Sequence, residues 1–498
     1  MASIYVLQIG KEDFSKSYFL PDYVKYTYLD MFTSLPRSSY DVVLIDRMIS
    51  MQEAELLLEV TRAYTLFVTE RVELSGRLQW LFVRLAGQMI SMEQLPAFLS
   101  EELANFYQQS SGGRFNVHEL AIGQTFKGEI SWQGNHNVTL SGNFGEEMKQ
   151  VAYWREHIFL LPDQKMDLWL EYKKSPGVAI SLEVTQFVPG SLSRIQKEWK
   201  FGEQDLAGIV TLDGDKGPAF VSLCAAGEGE LKITTLHYRR SRGKHGHILP
   251  GGKRYVTSDR EEIFAYFEPG NAKPPLNVYF SGYNTKELFE GYQLMKELDC
   301  PFLLLSDNRL DGGGFYLGSR EYEKTIIDII REHMIALDFS PRQTIFSGVS
   351  MGACGAMYYG CYMKPHAFVL GTPLLSLGEV ATLEKRKRPG KFPESLDVLM
   401  HLEQDTRETA CLDLNERMWK RFRETDFLRT KIIVGYMIED DFDGTAYDKI
   451  LSNLKSDVAQ VYGKGFHGRH KDNPQAVVIW LMEQHRRMLN EDFERGMM

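Results

Sequence analysis

Thr344-Ile345-Phe346-Ser347-Gly348-Val349-Ser350-Met351-Gly352-Ala353-Cys354-Gly355-Ala356-Met357-Tyr358-Tyr359-Gly360 contains Gly348-x-Ser350-x-Gly352, the pattern of a nucleophile elbow. Such an elbow needs a strand before the serine and a helix after it. Residues 344–346 are short and β-prone, and 352–363 are rich in Ala, Met and Tyr with no proline before Pro365. The glycines two before and two after the serine let neighbouring backbone pass close by. The following helix start offers free N–H groups to a developing oxyanion. The competing reading is a chance match, with Gly352 and Gly355 serving only close helix–sheet packing.

Working outward from the elbow, residues on both sides read as strands alternating with helices. Leu276–Ser281 is a strand ending at Gly282-Tyr283-Asn284, 286–298 an amphipathic helix and Phe302–Leu305 a strand. A longer helix over 321–338 leads into the elbow strand. Ala367–Leu370 follows, then a charged, helix-prone insertion over about 380–428, a strand at Lys431–Met437, another at Val458–Tyr462 and a closing helix over 475–489. This is the order of a doubly wound α/β-hydrolase-like fold. In that fold the chain order is serine, acid, histidine. Glu439, Asp440, Asp441 and Asp443 follow the strand after the insertion, and His467 and His470 follow the last strand. The acid is Asp440 ahead of Glu439, and the histidine His470 ahead of His467. The histidine takes the serine proton and returns it, while the acid orients the ring and stabilises imidazolium. The oxyanion donors expected are the N–H of Met351 and that of Gly282 or Tyr283. Asp311-Gly312-Gly313-Gly314 either shapes the acyl pocket or forms a flexible loop.

The rest of the chain differs in texture. With 498 residues it calls for two or three domains. Residues 1–110 read as a small α/β, Rossmann-like unit, with strands at 4–9, 40–46 and 63–69, a helix at 50–61 and an apolar, helix-prone stretch over 75–105. No G-x-G-x-x-G follows its first strand, so no dinucleotide site is indicated. Residues 111–268 read as a β-sandwich that holds carbohydrate or simply packs; Trp132, Trp154 and Trp169 are expected mainly in its core, with sugar stacking the alternative. The run Arg239-Arg240-Ser241-Arg242-Gly243-Lys244-His245-Gly246-His247 reads as a solvated hairpin loop, or else as a patch for an acidic partner or membrane surface. A linker comes next at 268–275, and 269–498 is the α/β-hydrolase-like domain.

Composition narrows the function. Hydrophobic (43%) and charged (25%) fractions are those of soluble globular protein, and a net charge of -10 argues against a general nucleic-acid binder. Five scattered cysteines without C-x-x-C spacing suit a reducing cytosol, with neither disulfide framework nor zinc site. The first ten residues read as a strand rather than a signal peptide, and no apolar run is long enough to span a membrane.

Several stretches carry a resemblance. Val6-Leu7-Gln8-Ile9-Gly10 with Glu12-Asp13-Phe14, Gly314-Phe315-Tyr316-Leu317-Gly318-Ser319, the Gly348–Gly352 elbow and Gly465-Phe466-His467-Gly468-Arg469-His470 resemble the accessory secretory protein two family. That resemblance implies an acetyltransferase that O-acetylates N-acetylglucosamine on serine-rich-repeat glycoprotein adhesins, with no bound cofactor and an acetyl donor that the sequence does not name. It also implies a separate transport role beside other accessory secretory proteins and the accessory Sec motor, in the cytoplasm at the inner face of the membrane. Carried over, the triad falls on Ser350, the Glu439/Asp440 pair and His470.

Overall fold

The computed structural model describes residues 3–108, 112–455 and 459–495. Its strands form three sheets. The sheet that carries the elbow has eight strands in the spatial order Lys253–Val256, Glu262–Glu268, Phe302–Ser306, Leu276–Phe280, Thr344–Val349, Ala367–Gly371, Lys431–Met437 and Gln460–Phe466. Lys253–Val256 and Glu262–Glu268 pair antiparallel with their neighbours, and the other six strands are mutually parallel. The carboxyl ends of those six therefore share one edge. Five of these strands are largely buried on both faces because helices cover both, and the edge strand Gln460–Phe466 is mostly exposed. Successive residues feed opposite cores: Phe346 packs on one face with Leu276, Val278 and Phe280, while Ile345 packs on the other with Val369 and Val477. Each such side chain fully buried is worth roughly 1.5–3 kcal/mol.

Helices Arg320–Ala336 and Met351–Met363 cover the first face, joined by the insertion. The insertion folds as three helices, Leu377–Arg386, Glu394–Glu403 and Glu408–Glu424. Pro474–Glu491 lies on the opposite face. The last strand runs from Gln460 to Phe466, later than the expected 458–462; Val458 lies outside the described residues, as do Ser110 and Ser111. The helix expected over 286–298 shrinks to Tyr292–Lys296. Residues 286–290 are drawn out as a loop because Glu287 and Glu290 turn inward to buried partners.

Near the amino terminus, five parallel strands order as Val24–Leu29, Ile4–Ile9, Val42–Ile45, Leu66–Thr69 and Gln88–Ile90. Val24–Leu29 and Gln88–Ile90 are edge strands that sequence reading passes over, because the first is polar and aromatic and the second only three residues long. Between this sheet and the elbow sheet in chain order comes a ten-stranded antiparallel network. Its spine is the 24-residue strand Gly217–Arg240, which pairs first with Val178–Phe187 and Ile158–Leu160, then with Met166–Lys174 and Gly112–Phe115, and along its middle with Asn137–Trp154. The expected pair of stacked sheets is therefore one hydrogen-bonded network around a single apolar core. Register shifts in the spine near Cys224 and Gly227 let one strand serve both halves.

The boundary expected at residue 268 is also corrected. Glu262–Glu268 pairs antiparallel with Phe302–Ser306, so the elbow sheet begins at Lys253 and the proline-rich stretch after it joins two of its own strands. An antiparallel strand reads alike whichever sheet it joins, and only the partner decides.

The basic run is neither a solvated loop nor a surface patch. Arg239 ends the spine strand buried between Glu262 and Glu287. The Arg242 guanidinium donates to the carbonyls of Asn105 (2.8 Å), Tyr107 (3.0 Å) and Ile248 (2.9 Å), and stacks on the Tyr107 ring. His245 is buried against Glu102, which also takes Lys244. Arg242 satisfies carbonyls where the turn Leu103–Phe106 ends, and Lys244 and His245 hold Glu102 just before it, stitching the amino-terminal segment to the rest. Of the tryptophans, Trp154 and Trp169 are buried and Trp132 is exposed. Trp132 sits on the hairpin strand Glu129–Gln133, which has one partner strand and no layer over it.

Candidate active site

Strand Thr344–Val349 ends directly at Ser350, and helix Met351–Met363 starts directly after it. That leaves no residue for a relaxed turn, so Ser350 adopts φ +55° and ψ −116°. L-residues avoid such backbone, at a cost of about 1–3 kcal/mol. The Ser350 N–H is held by the Gly371 carbonyl at 2.8 Å. Both elbow glycines are obligatory: a Cβ on Gly348 would collide with the Gly352 backbone, and one on Gly352 with the carbonyl of Phe280.

The carboxyl ends of the last two strands bring Asp440 and His470 to this serine. Ser350 Oγ lies 2.9 Å from His470 Nε2, and His470 Nδ1 lies 2.8 Å from Asp440 Oδ2. The Asp440 and His470 side chains are almost wholly buried, at 5% and 6% exposure. The other Asp440 oxygen accepts the N–H groups of Phe442 (2.8 Å) and Asp443 (3.2 Å), and the Phe442 ring stands edge-on to the imidazole at 5.0 Å. The carboxylate is thus fixed from behind and the ring from the side. Burial alone would raise the Asp440 carboxyl. The hydrogen bond and charge of His470 and the two N–H groups outweigh it and hold the carboxyl below the usual range. An ionised acid at Nδ1 leaves Nε2 as the acceptor facing Ser350, the arrangement needed to remove a hydroxyl proton.

The alternatives go elsewhere. Glu439 and His467 form an exposed pair at 3.4 Å, with the His467 side chain 90% exposed. Glu439 also caps the Gly468 N–H. Asp441 accepts the His470 backbone N–H at 3.3 Å, and Asp443 is turned inward onto the N–H groups of Leu375 and Ser376.

On the oxyanion side, the Met351 N–H is the first of its helix and has no intrahelical acceptor. Gly282 is corrected as a candidate, because its N–H is already donated to Glu290 at 2.5 Å. The Tyr283 N–H has no partner among the described residues, so it is the remaining candidate for the second donor. Gly312 packs against the Tyr283 ring and Gly313 against Met351, with positive φ at both. Gly312–Gly314 are therefore packed beside Tyr283 and Met351, with Asp311 half-buried at their edge.

The insertion supplies what sequence reading missed. Phe392 stands between Tyr283 (5.8 Å) and Phe442 (5.4 Å), Glu394 accepts from the Tyr283 hydroxyl, and the Arg388 guanidinium lies over Phe442 at 4.6 Å. Phe392 is the lone aromatic of 388–394, and neither it nor Phe442 carries a sequence signal that points to residue 470. Among the described residues no group of three or more His, Cys, Asp or Glu could hold a metal ion, and no helix is long and apolar enough to cross a membrane.

A family described as the accessory Sec system GspB-transporter matches residues 4–495. The chain belongs to that family. It is 35% identical over 503 residues to the accessory secretory protein two of Streptococcus gordonii, covering 98% of each chain. To the Staphylococcus aureus protein of the same name it is 35% identical over 386 residues, covering 77% of this chain and 74% of the other. A chain solved in the glycosylation associate protein (Gap123) complex from Streptococcus agalactiae matches with a TM-score of 0.88 at 32% identity, covering 99% of both chains.

Proposed function

We propose that the chain is a serine-dependent O-acetyltransferase acting on N-acetylglucosamine of a serine-rich-repeat glycoprotein, and an accessory component in export of that adhesin. The observation that carries the enzymatic part is the buried relay from Ser350 through His470 to Asp440 at 2.9 and 2.8 Å. In the first half-reaction Ser350 Oγ bonds to the acetyl carbon, His470 takes its proton, and the bond to the donor's leaving group breaks with that proton passing to it. In the second, a sugar hydroxyl attacks the acetyl-serine, His470 takes the hydroxyl proton, and Ser350 recovers it as the ester leaves. Met351 and Tyr283 N–H groups would receive the oxyanion in both.

Family membership across almost the whole chain supports the export role, and the Streptococcus agalactiae complex supports assembly with other accessory secretory proteins. The adhesin substrate, the accessory Sec motor and a place at the cytoplasmic face of the membrane belong to the same reading. A carbohydrate esterase would use this site with water as acceptor. Tyr283, Phe392 and Phe442 form an aromatic cluster that reaches the His470 ring, and transfer in place of hydrolysis requires such a cluster to keep water from the acyl-enzyme.

The test is the acetyl content of the exported adhesin glycan, with export scored alongside, for wild type and Ser350→Ala. Loss of acetyl groups with export retained is expected. Unchanged acetylation by a folded Ser350→Ala chain overturns the enzymatic reading and leaves a non-catalytic export component.

A further inference from the structure

We propose that Arg114, on a strand of the central β network, is a positioning residue that sets the second oxyanion donor of the elbow sheet. The proposal rests on the reading of Ser350 as an acyl-carrying nucleophile. Arg114 is buried, on the short strand Gly112–Phe115 that pairs with the spine and not with the elbow sheet. Its guanidinium reaches across. Nη1 donates to the carbonyls of Leu310 (2.7 Å) and Asn308 (2.9 Å), and Nη2 to the carbonyl of Asn284 (3.1 Å). One planar fork therefore ties together the two loops that flank the oxyanion position. Those loops touch once more, through Asn284 N–H to Gly312 O at 3.1 Å. Tyr283 immediately precedes Asn284, and its ring packs on Gly312.

The fork is itself held from behind. Glu287, wholly buried, donates its N–H to the Gly112 carbonyl and accepts from His237 Nδ1 at 2.5 Å and from Arg239. The links from the spine strand are buried at His237, Arg239, Arg114 and Glu287, and exposure is confined to Thr285 and Lys286 between Asn284 and Glu287. A loop after a strand is ordinarily the softest part of a hydrolase sheet, and an oxyanion donor misplaced by a fraction of an ångström loses most of its value. Arginine suits the task because its fork spans two acceptor sets at fixed separation; lysine offers a single point.

The experiment uses the full-length chain and an alkyl fluorophosphonate. Ser350 Oγ bonds to phosphorus, fluoride leaves, the hydroxyl proton passes to His470, and the phosphoryl oxygen occupies the oxyanion position. Labelling is followed by intact mass for wild type, Ser350→Ala, Arg114→Met and Arg114→Lys across pH, with thermal melts as a folding check. Removal of one oxyanion donor costs about 100- to 1000-fold, so Arg114→Met, which loosens one without deleting it, should label about 10- to 100-fold more slowly. Arg114→Lys should fall in between. The pH midpoint of labelling should not move, since it reports His470 and Asp440; a merely structural defect would disturb both sides of the site. Folded Arg114 variants that label within about two-fold of wild type, or whose pH midpoint shifts, overturn the positioning role. Where Arg114→Met fails to fold, Arg114→Lys decides by the same criteria. A wild-type chain left unlabelled at Ser350 overturns the nucleophile reading itself, which separates the two failures.

Discussion

At the scale of single residues, the site turns on one position in a pair. Glu439 and Asp440 are neighbours in the turn that follows strand Lys431–Met437. Asp440 faces His470 and Glu439 faces water. Exchanging Asp440 for Asn keeps the shape but stabilises the wrong imidazole tautomer, and should lower acyl transfer by about 10⁴-fold. Glu439→Gln and His467→Ala should leave the rate near wild type in the same assay. The elbow backbone gives a second prediction. Ser350→Gly relieves the φ of +55°, so it should be more stable than Ser350→Ala by about 1–3 kcal/mol, read from thermal or urea unfolding of the two inactive variants. The Ser-x-Gly spacing was legible in sequence; the choice of acid was not, because a one-residue slip in the strand end exchanges the two carboxylates.

At the scale of elements, the insertion matters most. Its helix Glu394–Glu403 rests on the hairpin turn of the central network. Asp397 accepts the Asn135 N–H at 3.0 Å, and His401 meets His136 at 3.0 Å and Glu261 at 2.9 Å. Burial pushes the Asp397 carboxyl up to about 7, the Asn135 N–H opposes this, and nearby Glu394 and Asp311 add to it. A raised folded pKa means the group contributes stability below its unfolded value of 3.8, lost as pH rises through about 7. Asp397→Asn keeps an acceptor for Asn135 without the charge. Its Tm should exceed that of wild type by a margin that grows between about pH 4 and about pH 7 and then levels off. A constant margin would mean that Asp397 titrates normally. The helical character of the insertion was legible from its composition. Its role as a cover was not, since the hairpin it meets lies far away in sequence.

At the scale of the whole molecule, the central network and the elbow sheet share a buried ionic seam. Arg239 pairs with Glu262 and Glu287, Arg254 also pairs with Glu262, and His237 lies between Glu171 and Glu287. Burial works against the His237 charge, but Glu287 and Glu171 outweigh it and carry its pKa up to about 9. Breaking such a network from one side strands a charge. Arg239→Met should therefore cost about 3–5 kcal/mol of unfolding free energy, measured by denaturant titration, although it touches no residue of the Ser350 relay. Export should suffer with it, whereas Ser350→Ala should spare export.

The sequence by itself determined the elbow, the alternation of strands and helices around it, the order serine, acid, histidine, and the β-rich character of the middle of the chain. The elbow, the alternation and the β-rich texture are local, each following from spacing and side-chain type within a dozen residues, whereas the order serine, acid, histidine is read from the succession of strands over the whole domain. Only the tertiary structure decided that Lys253–Glu268 joins the elbow sheet, that Arg239 and Arg242 are interior seams, that Gly282 is already engaged by Glu290, and that Asp440 and His470 complete the relay. The reason is the same in each case. A buried polar group or an edge strand takes its meaning from a partner, and here the partners include Glu290, eight residues from Gly282, and Asn105, 137 residues from Arg242.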